Sequence, residues 1–225
     1  MSDMETPKNP GSIEHRIGEA LARLAQALRS DDWTRAKAAG LNPAQSAILQ
    51  LLEGRKNGLG IGEIAGHLGV SQPSATDSVR SLEAKGLVTK AEVAGDRRSV
   101  RVELTEAGRA VLAGDLASAG SVDASIAALA GGEKDEFLLT LIKLIRTMQE
   151  AGAIPIQRMC VSCRYFRPFA HADAGKPHHC QFVDAAFGQS SLRIDCRDHE
   201  TADAGLRAEH WRVLADGPAD PAIGA

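Results

Sequence analysis

Apolar residues recur with helical spacing in several segments of the chain. The first stripe lies on one helical face and consists of Ile13, Ile17, Leu21, Leu24 and Leu28. It predicts a helix that ends near Ser30, followed by a break over residues 31–40. Asn42 and Pro43 then suit an N-cap and a first helical position, so they predict the start of a second helix.

Two short helices joined by a tight turn come next. The first is predicted over Ile61–Leu68, because Gly69 stops it. The second is capped by Ser71, continues to Lys85 and ends at Gly86. A short helix held against another in this way is the arrangement of a helix-turn-helix, whose second helix enters a DNA groove.

A two-stranded ribbon follows the helix pair. The strands are predicted over Leu87–Val93 and Ser99–Leu104, and residues 94–98 form the connection between them. The connection carries two adjacent arginines, so the ribbon has a basic tip. The four elements together predict a winged helix-turn-helix.

A long helical region begins at the predicted cap Thr105 and is interrupted at Gly131-Gly132. It resumes over Glu133–Gln149 with an apolar face wider than a surface helix of a monomer usually shows. That face needs partners on more than one side. We expect the first and last helices to pack together and against a second copy of the chain.

These patterns predict a mainly α fold with a small β-wing and a C-terminal Cys-rich module. The predicted parts are a disordered lead (1–11), a domain at 12–150, a linker (151–157), a Cys-rich metal-binding module (158–214) and a flexible tail (215–225). Within the large domain the winged helix covers about 41–112, and the dimerisation helices cover about 12–30 and 105–150.

Composition narrows the class of protein. Hydrophobic residues make up 44% of the 225 positions but aromatic residues only 4%, which favours helical cores built from Ala, Leu, Ile and Val. No apolar run approaches the roughly 20 residues of a membrane span, and the N-terminus has no secretory signal. We therefore expect a cytoplasmic protein. The net charge of −3 means that any DNA-binding surface is a local basic patch.

The second helix of the pair has the residues to read DNA. Ala75, Val79 and Leu82 lie at i, i+4 and i+7 and anchor it inward. Its N-terminal and outer positions are polar, and the wing adds an acid and two arginines that can reach the minor groove and the backbone. The predicted DNA-binding residues are Ser71, Gln72, Ser74, Thr76, Arg80, Asp96, Arg97 and Arg98.

Asp77 does not suit a DNA-facing surface, because a carboxylate repels phosphate. It can accept from a cytosine amino group, or it can pair with Arg80 or Ser81 one turn further on. We favour the pairing, since these partners are local.

Residues Leu41 to Leu112 resemble the winged helix of the MarR family, the multiple antibiotic resistance regulators. The segments that carry the resemblance are LNPAQSAILQLLE, IAGHLGVSQPSATDSVRSLEAKGLV, the DRR of the wing and LTEAGRAVL. With the outer helices it covers roughly residues 12–150. The resemblance implies a homodimer that binds a pseudo-palindromic double-stranded DNA operator, usually as a repressor relieved by a small, often aromatic, effector.

The effector itself is not identified by the sequence. Pockets of the family lie between the dimer helices and the DNA-binding lobes, which makes Trp33, Arg35 and His67 candidate neighbours. Each residue type is more often found in packing or at the surface, so we do not assign them to the site.

Four cysteines form a second constellation. Cys160 and Cys163 are a C-x2-C pair, and Cys180 and Cys196 follow after sixteen and fifteen residues. Four thiolates in this pattern suit a Zn²⁺ ion, which we predict, or alternatively a 4Fe-4S cluster. A metal-free thiol switch and inert cysteines remain open. The C-x2-C-R-Y-F start resembles small four-cysteine domains, including high-potential iron–sulfur proteins.

Three histidines close to the cysteines could replace a thiolate or lie at the surface: His178, His179 and His199. The two functional hypotheses are a dimeric, ligand- or redox-responsive transcriptional repressor and an Fe–S or thiol redox protein that docks through its winged helix. The sequence has no nucleotide-binding glycine loop and no supported Ser/His/Asp arrangement, so we predict a protein that is not an enzyme.

Overall fold

The computed structural model describes residues 11–93, 96–115 and 120–217, with backbone alone at 92–99 and 115. The helices are α1 Ile13–Ala38, α2 Pro43–Leu52, α3 Ile61–Leu68, α4 Gln72–Ala84, α5 Glu106–Asp115, α6 Ser121–Ala127, α7 Gly131–Glu150 and α8 Ala204–Asp216. The strands are β1 Val88–Val93, β2 Asp96–Leu104, β3 Phe166–Arg167, β4 His178–Cys180 and β5 Ala185–Phe187. Among the described residues, no helix is long and apolar enough to cross a membrane.

Helices α2, α3 and α4 form a winged helix with the hairpin, as predicted. The Asn42 side chain accepts from the Gln45 amide, and Gln45 accepts from the Asn42 amide in return, so α2 begins with a capping box. Gly69 ends α3 with a φ of 64°, a conformation in which glycine is favoured. The core of this lobe is closed by apolar residues from all its elements, among them Ile48, Leu49, Ile64, Val79, Leu82 and Val102.

The wing is an antiparallel hairpin in which Val88 pairs with Leu104. Its register shifts after Glu92, so that Val93 pairs with Asp96 and only residues 94 and 95 separate the strands. Our placement of 96–98 in the connection is therefore wrong, because these residues belong to β2. The sequence did not indicate a strand here, because charged residues are uncommon in strands that are half-buried.

The predicted break after Ser30 is also wrong, because α1 continues to Ala38. The polar residues that suggested a break make bonds inside or beside the helix. The Thr34 hydroxyl donates to the Ser30 carbonyl, and Arg35 pairs with Asp32 at 2.5 Å. Asp31 accepts from the hydroxyl of Ser121 in α6. The two residues of this contact are ninety positions apart in the chain, so it could not be predicted from sequence periodicity.

The helical region after Thr105 is divided differently from the prediction. Helix α5 ends at Asp115 and α6 is a separate short helix. The two glycines at 131–132 lie in the first turn of α7 rather than in an interruption, because Glu133 accepts from the Ala130 amide and completes that helix start.

The C-terminal module packs on α7 through a second core. Ile142 of α7 meets Met159, Val161 and Phe166 of the module, with Leu214 of α8 beside them. The module therefore covers one side of the wide apolar face of α7. Helix α8 reaches Asp216 and so includes the start of the predicted tail, whereas residues 218–225 and the predicted lead at 1–10 lie outside the described residues.

Candidate DNA interface and cysteine cavity

Helix α4 presents its polar face to solvent because three small or apolar residues anchor the opposite face. Ala75, Val79 and Leu82 are buried, as the spacing predicted. Gln72 and Arg80 are exposed on the outside, and Gln72 makes no side-chain hydrogen bond to the described residues. The helix is therefore fixed from within, while the Gln72 amide and the Arg80 guanidinium lie on the solvent side.

The three hydroxyls of the predicted site also serve the helix itself. Ser71 Oγ accepts from the Ser74 amide at 3.3 Å and hydrogen-bonds with Ser74 Oγ at 2.8 Å. Thr76 Oγ1 donates to the carbonyl of Gln72 at 2.8 Å. These bonds hold the three hydroxyl groups against the first turn of α4, so they support the helix start as well as facing solvent.

Arg80 Nη1 donates to Asp77 Oδ1 at 3.0 Å, as we predicted from their i,i+3 spacing. Both side chains are more than 70% exposed, so the pair adds only a few tenths of a kcal/mol to stability. Its main effect is to hold the guanidinium on the outer face of α4.

The basic patch predicted around the wing is partly neutralised by pairs within the chain. Lys90 binds Glu83 at 2.7 Å, and Arg101 binds Glu63 at 3.1 Å. The side chains of Asp96, Arg97 and Arg98 lie outside the described residues, so their predicted DNA contacts stay a prediction.

Polar bonds that were not predicted from the sequence hold α4 against α2. Gln45 Nε2 donates to Ser81 Oγ at 2.8 Å, and Lys85 Nζ donates to Gln45 Oε1 at 3.0 Å and to the Gly40 carbonyl at 2.8 Å. Gln45 is buried, which periodicity does not indicate for a glutamine. The capping-box pattern Asn-x-x-Gln was the available signal.

The C-terminal module binds the loop between α2 and α3, which we call the α2–α3 loop (residues 53–60). Arg158 is buried and binds both oxygens of Asp195, at 2.5 and 2.7 Å. Its Nη2 also donates to the Glu53 carbonyl at 2.9 Å, and Arg197 pairs with the Glu53 carboxylate. The same loop meets the wing, where Arg101 donates to the Gly58 carbonyl.

All four cysteines line one cavity of about 310 Å³ in the module. Cys160 and Cys163 flank a single 3-10 turn, and Cys180 ends β4. Cys196 is brought to them by a backbone bond from its amide to the Arg158 carbonyl, at 2.9 Å. The four cysteines are free, and no group of three or more Cys, His, Asp or Glu side chains in the described ranges is arranged to hold a single metal ion.

Two effects act on the sulfurs in opposite directions. Burial raises the pKa of Cys160 to about 11, and charge repulsion from the other three cysteines adds to this effect. Against it, the Arg193 amide donates to Cys160 Sγ at 3.3 Å, which lowers the pKa of Cys160. The same residue also meets a second cysteine, because Arg193 Nη1 donates to Cys196 Sγ at 3.6 Å. Burial also raises the pKa of Cys163. A thiol whose pKa is raised by burial reacts slowly, so Cys160 and Cys163 are poorly suited to a metal-free switch.

The three neighbouring histidines have other partners. His178 is fully buried, accepts from the Phe169 amide through Nδ1 and donates from Nε2 to Gln189 Oε1. Burial lowers the pKa of His178, so the imidazole stays neutral in this position. His179 contacts His171 and Asp184, and His199 binds Ser162. The cavity walls consequently present cysteine sulfur and no imidazole.

A further cavity of about 370 Å³ lies between α1 and α5, with Thr34, Arg35, Ala110 and Val111 in its walls. Of the three residues considered as effector neighbours, Arg35 is in this wall. Trp33 is 60% exposed, and His67 is half-buried on α3.

Comparison with known proteins agrees with this geometry. Residues 39–99 match the sequence profile of the MarR family. The transcriptional repressor CouR bound to a 23-mer DNA duplex is similar at 28% identity and a TM-score of 0.50, over 63% of this chain and 99% of that one. The regulator BldR from Sulfolobus solfataricus is 26% identical with a TM-score of 0.51, over 60% and 95% of the two chains. A MarR-family regulator from Silicibacter pomeroyi is 28% identical with a TM-score of 0.51, over 61% and 92%.

Proposed function

We propose that this chain is a regulator of the MarR type, whose profile residues 39–99 match, and that it acts as a homodimeric repressor that binds a pseudo-palindromic operator. The observation that carries the proposal is α4, a helix anchored by buried residues with Gln72 and Arg80 exposed on its outer face. Glutamine and arginine are side chains that read adenine and guanine in the major groove. The wing is joined directly to the end of this helix pair.

Uncovered apolar stripes on the outer helices support the dimer. On α1 the exposed residues Ile13, Ile17, Leu24 and Leu28 fall within one narrow sector of the helix. On α7 the exposed residues Phe137, Leu144 and Met148 form a similar stripe on the side that the module leaves open. Contiguous apolar stripes of this kind are typical of protein interfaces. A second copy that covers them would place two α4 helices on successive turns of DNA.

The similar proteins support a regulator rather than an enzyme. CouR is by its name a transcriptional repressor, and it is seen with a DNA duplex. The alternative, a redox protein that uses the winged helix only for docking, would not need exposed base-reading side chains on α4. Retention of specific DNA fragments distinguishes the two functions.

We expect Gln72→Ala and Arg80→Ala each to weaken operator binding by about 1–3 kcal/mol, the cost of losing a base contact. If Arg80 binds a phosphate instead, its replacement lowers the affinity for all sequences and reduces the salt slope by about one. Fluorescence anisotropy with a retained genomic fragment, measured over a range of salt concentrations, separates these cases.

Arg212→Ala is the matched control for this measurement, because Arg212 is an exposed arginine on α8, away from α4. It should leave the affinity within a factor of two or so. Unchanged affinity in both α4 variants would contradict the proposed docking.

The contacts of the α2–α3 loop support a regulatory role for the module. Arg158 and Arg197 hold one end of this loop, and Arg101 of the wing holds the other end. A shift of the segment that carries Cys196 and Arg197 would therefore act on a loop next to both DNA-binding elements. We infer that the state of the cysteine module sets the operator affinity.

Arg158→Met tests this coupling. The change leaves the Glu53 carbonyl and the Asp195 carboxylate without their donor, and we expect it to lower the free energy of unfolding by about 1–3 kcal/mol. Hydrogen exchange over residues 53–60 should become faster, and operator affinity should change with it. Arg164→Met is the control, since its pair with Glu200 is half-exposed and contributes at most about 1 kcal/mol. If the two variants have equal effects, Arg158 does not couple the module to operator affinity.

The effector also belongs to this proposal. The cavity between α1 and α5 has mainly apolar walls, and the guanidinium of Arg35 in its wall is already paired with Asp32. A small aromatic molecule suits such walls, because its ring fills apolar volume.

A further inference from the structure

We propose that the four cysteines together hold an iron–sulfur cluster of the four-iron, four-sulfide type. The observation is that Cys160, Cys163, Cys180 and Cys196 surround a single cavity of about 310 Å³. One group that occupies this space can be bound by all four sulfurs. The inference is independent of DNA binding, because it concerns residues outside the winged helix.

The volume of the cavity favours a cluster over one zinc ion. In a structural zinc site the sulfurs lie about 2.3 Å from the metal, so they nearly touch one another and leave no empty space. A cavity needs only about 10–15 Å³ of accessible volume to hold a water molecule, and this one is many times larger. A cubane has metal and sulfide at alternate corners and keeps its four cysteines apart, which matches sulfurs spread around a cavity wall.

Four aromatic side chains form a large part of the remaining wall. Tyr165, Phe166, Phe182 and Phe187 line the cavity between the cysteines. The ring centroids of Phe166 and Phe187 lie 6.1 Å apart, and those of Tyr165 and Phe182 lie 5.4 Å apart. Rings of this kind limit water near a bound group, and solvent access is one of the factors that set the reduction potential and lifetime of a cluster.

Hydrogen-bond donors are directed at the sulfurs themselves. The Arg193 amide donates to Cys160 Sγ and the Arg193 guanidinium to Cys196 Sγ. Donors to cysteine sulfur stabilise negative charge on a thiolate and raise the potential of a cluster that the thiolate binds. Arg193 is thus a positioning and tuning residue, which binds two ligands without being a ligand.

The cavity also borders the winged helix. Phe182 and Asp198 line it on one side and, on the other, line a cleft against the α2–α3 loop. Cys196 is followed directly by Arg197, which pairs with Glu53. If the proposed regulatory function holds, loss of the cluster would change the position of this loop.

Elemental and spectroscopic analysis of the full-length protein, purified without air, tests the proposal. We expect four iron atoms and four acid-labile sulfides per chain, with a broad visible absorption that bleaches on reduction. One zinc per chain in a colourless protein would overturn the proposal, as would two irons with two sulfides. Failure to take up iron and sulfide on anaerobic reconstitution would overturn it as well.

Two variants, each with a matched control variant, sharpen the test. Cys196→Ala should lose most of its bound iron, whereas Ser191→Ala, which also changes the cavity wall, should keep it. Arg193→Met should keep its iron but shift the midpoint potential to more negative values, because one positive charge and one donor are removed. Arg164→Met is the control for charge, and an unchanged potential in Arg193→Met would exclude the tuning role.

Operator affinity is measured on the same samples. A colourless zinc protein that still binds its operator overturns the cluster and leaves the regulator intact. A protein with a full cluster and no specific DNA binding supports the cluster and overturns the regulator. The two proposals can therefore fail separately.

Discussion

Replacement of Leu144 by glutamate is expected to convert the proposed dimer into a monomer and to lower operator affinity by about 10²–10⁴-fold, the usual gain from two linked binding sites. Leu144 is 42% exposed at the centre of the α7 stripe, between Phe137 and Met148. In a dimer this position is buried, so a carboxylate there lacks both water and a partner. Analytical ultracentrifugation and DNA binding measure the two effects.

Lys143→Glu is the matched control, since it adds negative charge to the same helix at an exposed position away from the stripe. It should remain dimeric. A Leu144→Glu protein that is still dimeric would show that this stripe does not form the interface, and far-UV circular dichroism would show that the chain is folded.

Gly108→Ala is expected to destabilise the winged helix by about 3 kcal/mol, at the upper end of the range for overpacking. A Cβ at this position would lie 2.1 Å from the Leu87 carbonyl oxygen, which is backbone and cannot rotate away. Thr105 fixes the same junction, because its hydroxyl donates to the Gly86 carbonyl and accepts from the Gly108 amide. Helix α5 would have to move off the end of α4.

Urea unfolding of Gly108→Ala and of Gly114→Ala gives the comparison. Gly114 is in the same helix with open space at its Cβ, so alanine there should stabilise the protein by up to about 1 kcal/mol. Similar effects of the two substitutions would exclude the close approach to Leu87. Because α5 follows the wing directly and packs against it, Gly108→Ala should also lower operator affinity.

The helix-turn-helix could be predicted to within one or two residues because its boundaries depend on local chemistry. Gly69 ends α3, Ser71 caps α4 and Asn42 caps α2, and each of these effects acts within one turn. The buried positions Ala75, Val79 and Leu82 follow from the same periodicity. The Asp77–Arg80 pair was predictable for the same reason, since its partners are three residues apart.

The parts that the sequence did not reveal depend on distant contacts. Helix α1 runs through its polar stretch because Asp31 is bound by Ser121 of α6. Helix α4 is held by the buried Gln45, a contact across 36 positions with Ser81. Neither bond leaves a periodic signal, because polar side chains at such positions look like ordinary surface residues.

In the cysteine site, too, the local pattern was predictable and the distant contacts were not. The spacing predicted a four-thiolate site and left zinc and iron–sulfur open, since it does not determine how far apart the sulfurs lie. The separation depends on tertiary bonds such as the one from the Cys196 amide to the Arg158 carbonyl. The spacing also did not determine whether the three histidines are ligands. Only the fold shows that they bind Gln189, Ser162 and Asp184.

The most direct test of the regulator is to sequence the genomic DNA fragments that the purified protein retains. We predict a shared inverted repeat whose half-site centres lie about one helical turn, roughly 34–36 Å, apart. Footprinting with a stoichiometric titration should give two chains per repeat. Fragments without a common sequence, or a single unrepeated half-site bound by one chain, would contradict a dimer that reads DNA with its two α4 helices.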